Sequence, residues 1–121
     1  MMGGDYAPLE AVKGVKSYLN AYPTTSLCLV GDEQQLNPLL AEFGVPADRI
    51  QVVHAPEQID MHEHPTKALK EKQQSSIAIG FGLLSKEKID AFLSAGNTGA
   101  MLVGTHFSIK PLEGVLRPTI S

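Results

Sequence analysis

Three things are scarce in this 121-residue sequence, and each scarcity excludes something. There is one cysteine, Cys28, so no internal disulfide can form, as suits a reducing cytoplasm. Cys28 lies in the apolar run Leu27-Cys28-Leu29-Val30 and reads as core filler, because apolar burial raises a thiol's pKa and quenches its reactivity. No stretch of about 18 apolar residues occurs, so no helix spans a membrane. The opening residues carry no basic segment followed by an apolar one, so nothing in them marks the chain for secretion. Charge of one sign is also scarce. Ten Lys and Arg against thirteen Asp and Glu leave a net charge of −3, too mild to draw nucleic acid or acidic lipid. Anion binding would therefore have to come from a local site. What is present, 43% hydrophobic and 19% charged residues, suits one soluble domain.

The elements alternate. Pro8 opens a helix, with Val12, Val15, Leu19 and Tyr22 at helical spacing, and Pro23 stops it. Ser26 to Val30 reads as a strand ending at Gly31-Asp32. Asn37-Pro38 suggests a cap and first-turn proline for a short helix ending at Gly44. Residues 50–54 form the next strand, and 55–66 a loop. Pro65 begins a helix, Ser75 or Ser76 caps another, and residues 89–93 read as a third strand feeding a helix through Ala100, Met101, Val103 and Phe107. Strands alternating with helices predict a parallel sheet covered by helices, in one α/β domain. Both ends read as cut: a glycine turn opens the chain with nothing before it, and 117–121 begins a strand that stops.

The main candidate for chemistry is Ser94-Ala95-Gly96-Asn97-Thr98-Gly99-Ala100, at a strand-to-helix junction. Ligands of open α/β sheets bind at the carboxyl ends of strands, and a helix start offers unpaired N–H groups and a positive dipole end. Gly96 and Gly99 would allow close backbone approach, while Asn97 and Thr98 can cap the helix or donate to an anion. An ordinary βα turn explains the same residues equally well. The loop is neither a Walker A sequence nor a dinucleotide fingerprint. Gly3-Gly4-Asp5 is a second turn of this kind, with Asp5 either a cap or a polar site residue. His62-Glu63-His64 lacks the spacing or the cysteine partners of a metal site and reads as a solvated loop. His54 and His106 stand alone, Lys67, Lys70 and Lys72 suit a solvated helix face, and no Ser-His-Asp or Cys-His set is evident locally.

Four motifs in order resemble one family. Met2-Gly3-Gly4-Asp5-Tyr6-Ala7-Pro8 is similar to the N-terminal MGGDxAP signature of PlsX-type phosphate acyltransferases. Glu63-His64-Pro65-Thr66-Lys67-Ala68-Leu69 with Ser75-Ser76-Ile77 resembles that family's E-x-P-x-x-A segment and following SS pair. Ser94 to Ala100 matches its SAGNTGA loop, and Gly114 to Pro118, with Arg117, resembles its G-x-x-RP. The resemblance implies transfer of a fatty acyl group from acyl carrier protein to inorganic phosphate, in phospholipid synthesis. It implies a Rossmann-like three-layer α/β/α sandwich related to isocitrate and isopropylmalate dehydrogenases, a homodimer in the cytoplasm, and no cofactor, metal or nucleic acid. The phosphate or substrate contacts it implies are Gly3, Gly4, Asp5, Ser94, Gly96, Asn97, Thr98, Gly99 and Arg117. In the family a strand precedes MGGD and the chain continues well beyond the RP pair. This chain is therefore expected to be an N-terminal portion, inactive alone and inclined to self-associate through an unpaired strand edge, with any peripheral membrane contact made by the rest. The competing expectations are a non-catalytic phosphate- or nucleotide-binding module and a dimerising structural piece.

Overall fold

The computed structural model describes residues 1–115; Arg117, and the strand start read at 117–121, lie outside the described residues. Helix α1, Leu9–Ala21, buries Val12, Val15 and Leu19 on one stripe, as their spacing predicts, whereas Tyr22, expected to continue it, follows the last turn and is exposed. Its last carbonyls are met by a single side chain. The Arg49 guanidinium donates to Leu19 O at 2.9 Å, Tyr22 O at 2.5 Å and Thr25 O at 2.8 Å. A rigid fork of donors is suited to oxygens left orphaned at a helix end.

Strands β1, Leu27–Gly31, and β2, Ile50–His54, pair in parallel, from Leu27 opposite Ile50 to Gly31 opposite His54. A parallel pair needs a crossover, which helix α2, Glu33–Glu42, and a 3-10 turn at Ala47–Arg49 supply. Here the expected helix start is corrected. The cap is Asp32, whose carboxylate accepts from Gln34 N–H at 3.0 Å, so the helix begins four residues before Asn37. Pro38 falls inside the helix. The carbonyl it leaves unbonded belongs to Gln34, which is exposed like Pro38 itself, so water can serve it. Val12, Val15, Leu19, Leu29, Leu36, Leu40 and Val45 form one apolar cluster around this unit.

A second cluster, Ile59, Ala68, Ile77, Phe81 and Ala100, is built by α3, Pro65–Glu71, α4, Ser76–Ser85, and α5, Thr98–Ser108. Ser75 caps α4 by accepting from Ala78 N–H at 3.3 Å. The rings of Phe81 and Phe92 meet edge to face, with centroids 5.2 Å apart. The predicted strand at 89–93 does not form among the described residues. A strand needs a ladder partner. β1 and β2 pair with each other, while Phe92 instead packs against the second cluster. The two halves are joined by a parallel bridge between Glu57 and Ser75, and by contact of α4 with β1. The described residues are thus α/β, with a two-stranded parallel sheet and five helices.

Candidate functional site

The two glycine motifs, some ninety positions apart in sequence, meet beyond the carboxyl end of β1. The Met1 ammonium donates to Val30 O at 2.9 Å, and burial lowers its pKa. Met2 lies on Gly31, whose missing Cβ would stand 3.1 Å from Met2 Cγ and Sδ. Gly3 then touches the second loop so closely that a Cβ on it would collide with Gly96 Cα and N. Gly4 follows with φ of +99°, a conformation that glycine adopts at no steric cost. Asp5 is exposed and does not cap α1, whose cap position is Pro8, with no side-chain bond.

In the other loop Ser94 Oγ accepts from Gly96 N–H at 3.1 Å, and Asn97 caps α5 through Oδ1, which accepts from Ala100 N–H at 2.9 Å. The remainder of Asn97 is also committed. It is 4% exposed, and its Nδ2 lies 2.9 Å from Asp60 O, 3.1 Å from Glu63 O and 3.4 Å from Met61 O. Of the two roles open to it in the sequence, the cap is the one observed, and its amide N–H groups serve neighbouring carbonyls rather than an anion. The groups left at the helix start are the backbone N–H of Thr98 and Gly99, for which no acceptor occurs among the described residues. Gly99 itself packs on α3: a Cβ there would stand 2.5 Å from Pro65 Cγ.

The sequence marks Glu63 only through the family resemblance; the contacts of its loop with Asn97 span 34 to 37 residues, which no local spacing encodes. It is clamped from the far side too. Lys72 Nζ donates to Glu63 Oε1 at 2.5 Å and to Gln58 O at 2.8 Å, and Glu63 Oε1 also accepts from Asp60 N–H at 3.0 Å. The Lys72 hydrogen bond, then the Asp60 N–H, hold the Glu63 carboxyl below its ordinary range, and Glu63 raises Lys72 in return. Lys72 thus departs from the solvated helix face expected of it. Burial pushes the Cys28 thiol up. His62 and His64 are exposed, and among the described residues no three His, Cys, Asp or Glu side chains gather as a metal site.

These observations define an α/β protein whose paired glycine loops, one of them opening a helix, meet where a parallel strand ends. The whole chain, residues 1–121, matches the family model described as fatty acid synthesis protein, and the chain belongs to that family. It is 43% identical over 120 residues to a phosphate acyltransferase of Halothermothrix orenii, covering 99% of this chain and 36% of that protein. The phosphate acyltransferase of Dictyoglomus turgidum is 42% identical over 120 residues, covering 99% of this chain and 35% of its own length. That of Chlorobaculum tepidum is 43% identical over 120 residues, covering 98% and 36%. The chain therefore spans 35–36% of the length of these curated relatives.

Proposed function

We propose that this chain is the N-terminal portion of an acyltransferase of phospholipid synthesis that moves a fatty acyl group from acyl carrier protein to inorganic phosphate. The observation that carries the reading is the convergence of Gly3-Gly4 and Ser94–Gly99 at one helix start, with the N–H groups of Thr98 and Gly99 left for an anion. The names of the relatives favour it over a binding-only module. A phosphate dianion gains from the unpaired donors and the helix dipole together. One phosphate oxygen attacks the thioester carbonyl carbon. A C–O bond forms, the C–S bond breaks, and the carrier's thiolate leaves and takes a proton. No enzyme nucleophile is required. The protein's part is to hold and orient the dianion and to offer fixed donors to the developing oxyanion. Gly3, Gly4, Gly96 and Gly99 let backbone come close, Ser94 and Asn97 shape the loop, and Thr98, Asp5 and Arg117 complete the proposed contacts. The whole enzyme on this reading is a three-layer Rossmann-like homodimer in the cytoplasm.

The test uses the full-length polypeptide carrying this segment, with acyl-[acyl carrier protein] and inorganic phosphate. Acyl phosphate should accumulate only when phosphate is present, and residues 1–121 alone should make none. Gly96→Val should weaken phosphate binding, because even a Cβ there stands 3.2 Å from Ser94 Oγ. Turnover independent of phosphate would refute the reading, as would unchanged phosphate affinity in Gly96→Val.

A further inference from the structure

The segment 58–63 borders the α5 start through Asn97, and it is gripped by two side chains. From within, buried Asn97 collects the carbonyls of Asp60, Met61 and Glu63 while its Oδ1 caps α5. From outside, Lys72 at the end of α3 takes Gln58 O and the Glu63 carboxylate, which in turn receives Asp60 N–H. The side chains of Lys72 and Glu63 are 32% and 27% exposed, so the pair is too wet to contribute much stability. Its geometric effect is larger. Three carbonyl oxygens are held on one amide group, and any shift of the segment would move that amide and with it the cap of α5.

The geometry points to Glu63 and Lys72 as positioning residues: their ion pair latches segment 58–63 onto Asn97 and so fixes the Thr98 and Gly99 N–H groups that receive phosphate. The inference rests on the proposed phosphate site. Neither side chain touches the anion. Each acts through Asn97, and misplacing a reactant by about 1 Å can cost up to about a hundredfold in rate.

The test uses full-length active enzyme and three variants, Lys72→Gln, Glu63→Gln and the conservative Lys72→Arg. Initial rates give kcat and the KM for phosphate, while phosphate titration followed by amide shifts gives binding directly. Lys72→Gln and Glu63→Gln should each raise the phosphate KM by about tenfold or more, with the KM for acyl carrier protein within about twofold. Lys72→Arg, which keeps a cation able to donate to both the Glu63 carboxylate and Gln58 O, should retain most of the parent's phosphate affinity. If Lys72→Gln and Glu63→Gln lower the melting temperature but leave phosphate KM and titration unchanged, the latch is refuted and the pair only orders a loop. A Lys72→Arg enzyme as impaired toward phosphate as Lys72→Gln would also overturn it. If the unaltered enzyme gives no amide response to phosphate at the α5 start, the site reading falls and the latch with it.

Discussion

Gly3 offers the sharpest perturbation. A Cβ at this position would overlap Gly96 Cα and N and stand 3.0 Å from the Ala95 carbonyl carbon. All three are backbone atoms, so no side-chain rotation relieves the clash, and the two loops must separate. Gly3 does not hold a positive φ, so alanine is penalised there by contact alone. Overpacking of this sort costs typically about 1–3 kcal/mol. The contrast is Gly14, exposed in the middle of α1 with nothing within 4 Å of its Cβ position. There alanine should stabilise by about 0.5–1 kcal/mol, through helix propensity. Urea unfolding followed by circular dichroism separates the two: Gly3→Ala should move the midpoint down and Gly14→Ala should move it up. In the full-length enzyme Gly3→Ala should also weaken phosphate binding, while Gly14→Ala leaves it unchanged. A Gly3→Ala protein as stable as the parent, within about 0.5 kcal/mol, would show that the loops are not in contact and would refute the reasoning.

Asn97→Ala removes the α5 cap, worth about 1 kcal/mol, and leaves three carbonyl oxygens without their shared donor. These acceptors are only part-buried, so their loss adds toward the low end of the about 1–3 kcal/mol that an orphaned buried group costs. Thermal melts should therefore place this variant well below Thr98→Ala, whose exposed side chain makes no hydrogen bond among the described residues. The Glu63–Lys72 pair has a signed pH dependence. Glu63 is depressed on folding, so its contribution is present above the ordinary glutamate range and fades as pH falls through the folded value. Lys72 is raised, so its contribution persists below the ordinary lysine range and is lost as pH climbs past the folded value. The difference in melting temperature between the parent and Glu63→Gln should shrink at both extremes. A difference constant from pH 3 to 11 would contradict this.

The elements set by local chemistry were legible in the sequence. Val12, Val15 and Leu19 announce α1 by spacing, Pro65 opens α3, and Ser26 to Val30 announces β1, while of the caps left open, Ser75 or Ser76 and Asn97 or Thr98, Ser75 and Asn97 are the ones used. Two readings required knowledge that spacing lacks. Asp32 resembled the end of a turn and Pro38 the first turn of a helix, whereas Asp32 caps α2 and Pro38 lies inside it, the carbonyl it frees belonging to exposed Gln34. The apolar run at 89–93 has strand composition, but strand formation depends on a partner, which no local pattern encodes. Within the site, the SAGNTGA loop and Gly3-Gly4 could be found separately. Their contact through Gly96, and the use of the Asn97 amide on carbonyls near residue 60, are long-range facts.

The paired glycine loops also lie on a seam. Gly3 follows Met1, which packs on the cluster around β1, while Gly96 and Asn97 adjoin the cluster that buries Ala100. Among the described residues, none is a buried member of both clusters. An anion held between the loops would act as cement, adding its binding free energy to the cohesion between two units that could otherwise open independently. Amide hydrogen exchange would then respond in a distinctive way. Without phosphate the β1 unit and the α3–α5 unit would exchange at different rates, and saturating phosphate would draw those rates together, turning two local openings into one shared event.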